Sequence, residues 1–281
     1  MHVYIFFVIS ILSGVWGLRN MSVRMPVAVR AGDRLRIACD YDLENAALYS
    51  VKFYQGDTEF YRFVPKESPP SRVFPLEGIQ VDLSRSNSTV VTLDKVQRDL
   101  TGYYKCKVSA DAPYFHTAEQ SAPVIVIEEP LLLPRLNVEK SKYSANERIR
   151  ANCTSEAAFP AANLTWLINH IQLRENPPAI RVHNRLLIDK LRGLETAVSM
   201  LELEARPGYF VEGKLKLTCL ATQYNLYKRN ASLLLQEDTP QLAPVMGATA
   251  PHSHPESRAS LLTTDCTALW LTVLTVTVLS R

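Results

Sequence analysis

The stretch Asp99-Leu100-Thr101-Gly102-Tyr103-Tyr104-Lys105-Cys106 decides the fold. A tyrosine two residues before a cysteine, behind a turn and at the start of a strand, is the pattern in which a phenol closes back on the main chain at the corner of a β-sandwich. The Asp that often opens this turn is displaced: Leu100 stands in its place and Asp99 one earlier. Upstream, Leu35, Ile37 and Cys39 alternate with Arg34, Arg36 and Ala38. That is the period of a strand with one buried face. Cys39 and Cys106 are 67 residues apart, and Phe53 lies 14 residues after Cys39, where a buried aromatic would pack on a bridge between the two sheets.

The plan recurs downstream. Cys153 and Cys219 are 66 residues apart and Trp166 follows Cys153 by 13. Two nearly equal cysteine spans read as two equivalent disulfide-bonded modules, Cys39 with Cys106 and Cys153 with Cys219. The fold class expected is all-β: two tandem immunoglobulin-like β-sandwiches followed by a flexible stalk. In the first module Thr89, Val91, Leu93 and Val96 mark strand E and Ala122 to Glu128 marks strand G. The long segment between Phe53 and strand E, with Glu59 to Val64 inside it, leaves room for the extra strands of a variable-type domain. In the second, Ile149 and Cys153 bracket strand B, Met200, Leu201 and Leu203 fall in strand E, Leu215, Leu217 and Cys219 form strand F, and 226–235 serves as strand G. Leu217 takes the place of a corner tyrosine.

The organisation expected is a signal peptide over 1–17, a variable-type domain over 18–129, a second domain over 130–236, a Pro/Ser/Thr-rich stalk over 237–260 and a hydrophobic C-terminal anchor signal over 261–281. The run Val3 to Leu12 has the length of a signal-peptide core. The run Ala268 to Ser280 has 13 residues, against the roughly 20 that a membrane helix needs. It is read as a tail replaced by a glycolipid anchor, with a short membrane helix or a secreted form as alternatives. Glu129 to Pro134 (EPLLLP) forms an apolar, proline-bounded joint between the domains, with limited bending expected. Sequons at Asn20, Asn87, Asn152, Asn163 and Asn230 suit a secreted glycoprotein. The fifth cysteine, Cys266, falls in the segment expected to be removed.

The chain is 47% hydrophobic and 21% charged, with a net charge of +3, too small to suggest a nucleic-acid partner. No phosphate-cradling glycine loop, nucleophile elbow, His-Glu-x-x-His or Cys-x-x-Cys occurs, so neither an enzyme nor a cofactor or metal site is expected. His252 and His254 read as a solvated linker, and Asp40, Asp42 and Glu44 as a solvated turn.

Alternation places a binding face on the first domain. With Tyr104 and Cys106 inward, Tyr103, Lys105 and Lys107 point outward; with Phe53 inward, Lys52 and Tyr54 do so on the neighbouring strand. Tyr61, Arg62 and Phe63, and then Tyr114 and Phe115, are expected to extend the patch. Tyrosine supplies amphipathic contact area and lysine steers toward an acidic surface. A glycan on Asn87, in the opposite sheet, would leave this face clear.

Several long segments resemble one family. They are CDYDLENAALYSVKFYQGDTEFYRFVP (Cys39 to Pro65), FPLEGIQVDLSRSNSTVV (Phe74 to Val91), SADAPYF (Ser109 to Phe115), CTSEAAFPAANLTWLIN (Cys153 to Asn169) and GLETAVSMLELEARPGYF (Gly193 to Phe210). Over about residues 23–235 the chain resembles the beaten path family of arthropod neuronal immunoglobulin proteins. The resemblance implies binding to cell-surface proteins of the sidestep family, with a role in axon guidance and motor-axon defasciculation. Phe53 stands where many members have Trp, and the end of the second domain matches the family poorly. A homophilic adhesion molecule and an immune-type binding protein are the alternative functions.

Overall fold

The computed structural model describes residues 18–113 and 115–239. The expected signal peptide, most of the stalk, the C-terminal anchor signal with Cys266, and Tyr114 lie outside the described residues.

The first domain contains β1 (Arg19–Arg24), β2 (Ala28–Arg30), β3 (Leu35–Asp42), β4 (Leu48–Gln55), β5 (Thr58–Phe63), β6 (Ser71–Val73), β7 (Val90–Leu93), β8 (Gly102–Ala110) and β9 (Thr117–Ile127). They form a back sheet in the order β1-β3-β7 and a front sheet in the order β2-β9-β8-β4-β5-β6. β5 and β6 are the two additional strands of a variable-type domain. The sheets close on Leu35, Ile37, Phe53, Val91, Leu93, Tyr104 and Val108, all at 0% exposure, with the Cys39–Cys106 disulfide between them. The Tyr104 hydroxyl donates to the Leu100 carbonyl at 3.0 Å, which is the corner read from the sequence. Burial, aided by the charge of Asp99, pushes this phenol well above its ordinary pKa.

The second domain contains β10 (Arg135–Val138), β11 (Lys142–Tyr143), β12 (Arg148–Ala158), β13 (Asn163–Ile168), β14 (Ile171–Gln172), β15 (Ile180–Asp189), β16 (Leu194–Glu204), β17 (Lys214–Gln223) and β18 (Tyr227–Glu237). Its sheets run β10-β12-β16-β15 and β11-β18-β17-β13-β14. Trp166 lies opposite Cys219 on the neighbouring strand and is 3% exposed beside the Cys153–Cys219 disulfide. Its indole N–H donates to Ser199 Oγ at 2.9 Å, which satisfies the ring's one polar atom in the core.

At the boundary, Glu128 and Phe159 exchange main-chain hydrogen bonds at 2.7 and 2.9 Å. Gln223 Nε2 donates to the Glu128 carbonyl at 3.3 Å and also to that of Pro160. Arg98 stacks over Phe159, 5.2 Å from the ring centre, and donates to the carbonyls of Arg192 at 2.8 Å and Gly193 at 3.3 Å. Gly193 has φ +64°, and a Cβ there would stand 3.3 Å from the Arg98 guanidinium, so both the turn and the close approach call for glycine. The joint departs from expectation in one respect: Leu131, Leu132 and Leu133 are exposed, and the boundary is made by polar and main-chain contacts on either side of them.

Candidate protein-binding face

β4 and β8 are central in the front sheet, and their outward residues stand in cross-strand rows. Lys52 lies opposite Lys107 and Tyr54 opposite Lys105. On one side Lys52 faces Arg62 and Tyr54 faces Glu59; on the other Lys107 faces Glu119 and Lys105 faces Ser121. The alternation read from the sequence therefore places Lys52, Tyr54, Tyr103, Lys105, Lys107 and Arg62 on one surface. Tyr103 is 64% exposed at the end of β8 by the corner, and Phe115 is 68% exposed in the loop between β8 and β9 at the other end.

Tyr61 is a correction. It is fully buried, and its ring packs edge-on to Phe53 with centroids 5.9 Å apart. A bulge is the cause: Phe53 pairs with Tyr61 and Tyr54 with Glu59, so Phe60 is an extra residue on β5. Phe60 and Tyr61 both turn into the core, against a strict alternation. Phe53 lies opposite Cys106, and Tyr61 packs on it within the core cluster that holds the disulfide. The Tyr61 hydroxyl bonds to Ser71 Oγ at 3.0 Å and donates to the Asn87 carbonyl at 3.3 Å.

The electrostatics are also more mixed than a run of lysines suggests. Glu59 accepts from Arg62 at 2.7 and 3.2 Å and from the Tyr54 hydroxyl at 3.4 Å, and lies 3.8 Å from Lys52 Nζ. Lys105 reaches Asp57 at 3.3 Å and sits over the Tyr54 ring at 5.2 Å; Lys107 reaches Glu119 at 3.6 Å. Four cations (Lys52, Arg62, Lys105, Lys107) against three carboxylates (Asp57, Glu59, Glu119) leave a formal +1. Burial and the Glu59 charge raise the Tyr54 phenol, and the bond to Glu59 raises the Arg62 guanidinium, so both hold their protons at neutral pH. The face is a mosaic of paired charges with tyrosine between them, suited to recognising a partner's pattern more than to long-range attraction.

Sequence reasoning missed four contributors, one of them Asp57 in the turn between β4 and β5. Glu59 follows from the register opposite Tyr54. Glu119 lies in the first five residues of β9, which apart from Ala118 are exposed and polar and gave no strand signal. Tyr49, 53% exposed on β4, escapes simple alternation because an irregularity falls between Leu48 and Ser50.

The sequons are all exposed. In the first domain Asn20 lies on β1 and Asn87 precedes β7, both in the back sheet. The acidic residues after the first cysteine are engaged locally. Asp40 accepts from Arg24, which holds its carboxyl below the usual range; Asp42 accepts from the Glu44 amide at 2.9 Å; Glu44 lies 2.8 Å from Arg19. Among the described residues no group of His, Cys, Asp and Glu is arranged to hold a metal ion.

Residues 132–230 match the family model described as a CD80-like C2-set immunoglobulin domain. No curated protein matches the chain. Among solved structures, murine CEACAM1b superposes with a TM-score of 0.56 at 15% identity, covering 78% of this chain and 100% of that one. The structure of a mouse coronavirus receptor-binding domain with its murine receptor aligns with a TM-score of 0.54 at 15% identity, over 78% of this chain and 100% of the other. Identities this low speak for the fold alone. Disulfide-bonded domains of this type fit an extracellular or cell-surface protein with a recognition or binding role. Both domains therefore have the immunoglobulin-type sandwich fold, and the second matches the C2-set immunoglobulin domain family over residues 132–230.

Proposed function

We propose that this chain is an extracellular recognition protein that binds another cell-surface protein through the front face of its first domain. The observation that carries this reading is the tyrosine-and-charge mosaic on β4, β5 and β8, flanked by exposed Tyr49, Tyr103 and Phe115 and free of sequons. Tyrosine and arginine are enriched where interfaces gain most of their energy, and glycans on Asn20 and Asn87 would cover the other sheet. The resemblance to the beaten path family supplies the finer reading: a sidestep-like partner, a place in axon guidance and motor-axon defasciculation, and attachment to the plasma membrane through a lipid anchor or a short helix. The partner is expected to present a complementary charge pattern and to have no nucleic-acid component. The test is a pair of variants, Tyr103→Ala and Lys107→Glu, in the secreted glycoprotein. Weaker partner binding with unchanged thermal unfolding supports the face; unchanged affinity in both folded variants refutes it.

A further inference from the structure

The β15–β16 hairpin leaves one strand edge open. β15 ends its sheet, with β16 on one side and no strand on the other among the described residues. The first part of that edge is closed. Ile180 exchanges main-chain bonds with Asn176 at 3.0 and 3.2 Å, and the Val182 amide donates to Glu175 Oε1 at 3.1 Å. Both amides point away from β16, so by the alternation of a strand the main chain of Asn184, Leu186 and Ile188 points away as well. Among the described residues no hydrogen bond closes these three. The side chains there are apolar and in water: Leu186 is 53%, Leu187 49% and Ile188 59% exposed. An open apolar strand edge is a template for another strand.

We propose that this edge pairs with the same edge of a second copy of the chain, antiparallel, about a two-fold axis at Leu187. The sequence Arg185-Leu186-Leu187-Ile188-Asp189 is complementary to itself in that register: Leu187 meets Leu187, Leu186 meets Ile188, and Arg185 meets Asp189. Leu186 and Ile188, whose N–H and C=O groups point outward, become hydrogen-bonded pairs. Leu187 and the Arg185–Asp189 pairs fall at the closer, non-hydrogen-bonded positions, where side chains interact most directly. Asp189 Oδ1 accepts from the turn amides of Leu191 at 2.9 Å and Arg192 at 3.3 Å, while among the described residues no bond reaches Oδ2. Among the described residues, the ion pairs of this domain join Arg135, Lys140, Arg148, Arg150 and Arg206 to carboxylates and leave Arg185 out. Moving the axis to Arg185 would set two guanidiniums together, and moving it to Leu186 would set Arg185 against Leu187. β15 carries no sequon; those of the second domain are on β12, β13 and β18, and of these Asn163 borders the cleft beside Asn184, Arg185 and Leu186. Such a contact is self-complementary and closes as a dimer, joining two four-stranded sheets into one of eight (4 + 4). It uses nothing of the first domain's front face, so two copies of that face are presented together.

The test is disulfide trapping in the full chain carrying Cys266→Ser, expressed in secretory cells and run on a non-reducing gel. Leu187→Cys brings two cysteines face to face on the axis and is expected to yield a reducible dimer. Leu191→Cys, at 99% exposure, faces His183 in the same register and is expected to remain monomeric. Adding Arg185→Asp to Leu187→Cys should lower the trapped dimer about tenfold, because two like-charged pairs replace two opposite ones, whereas Arg185→Lys should preserve it. Equal trapping at Leu187 and Leu191, no dimer at Leu187, or indifference to Arg185→Asp would each overturn the proposal.

Discussion

Tyr104→Phe isolates one hydrogen bond in a packed core. The substitution removes the hydroxyl that donates to the Leu100 carbonyl at 3.0 Å and keeps the ring, which packs edge-on to Phe60 with centroids 6.1 Å apart. Tyr104 is fully buried and Leu100 is 1% exposed, so the carbonyl loses its donor where water cannot replace it. Leaving a buried acceptor without that partner costs about 1–3 kcal/mol. For a domain of this size the lower part of that range corresponds to a fall in Tm of about 5–15 °C. The assay is urea unfolding of the wild type and the variant, followed by circular dichroism, across a pH series. The pH dependence has a definite sign. Burial raises the folded phenol above its unfolded value near ~10, so the advantage of the wild type is fully present below ~pH 10 and is lost as pH rises further. The gap between the two proteins should be flat from about pH 6 to 9 and should narrow above ~pH 10. A folded variant as stable as the wild type at neutral pH would refute the claim that this bond holds the corner.

Three further outcomes are expected. Cys39→Ala with Cys106→Ala opens a 67-residue loop and should cost about 4 kcal/mol in urea unfolding of the first domain. Trp166→Phe deprives Ser199 of its donor and leaves a gap beside the second disulfide, so the second domain should lose about 2–4 kcal/mol by the same assay. Arg98→Ala removes the bonds to Arg192 and Gly193 and the stacking on Phe159; hydrogen exchange at residues 189–194 should rise several-fold, while exchange in the two cores stays unchanged.

Much of this fold was legible in the sequence because its strongest signals are local. The cysteine spacings, the Tyr104 position two before Cys106 and the alternation around Leu35 and Leu215 each specify a strand with one buried face, and the structure places them so. The readings that failed depend on register, which alternation alone does not fix. Tyr61 turned inward because the bulge at Phe60 shifted one residue; Tyr49, for which the sequence offered no reading, is exposed at a second irregularity. β15 gave no clear signal, since Leu186, Leu187 and Ile188 are consecutive and exposed on both faces of a strand that projects past its core. The carboxylates that pair the lysines of the front face were invisible for a related reason. Glu59, Asp57 and Glu119 are brought to Lys52, Lys105 and Lys107 by strand pairing, not by sequence proximity.

The central claim is that the first domain's front face binds a distinct cell-surface protein. The most direct measurement is a binding screen of the tagged, secreted residues 18–239 against the extracellular domains of neuronal surface proteins, repeated with Tyr103→Ala. The account predicts a strong hit among sidestep-like proteins that weakens with the substitution. Binding only to itself, or a hit indifferent to Tyr103 and to the lysines beside it, would contradict it.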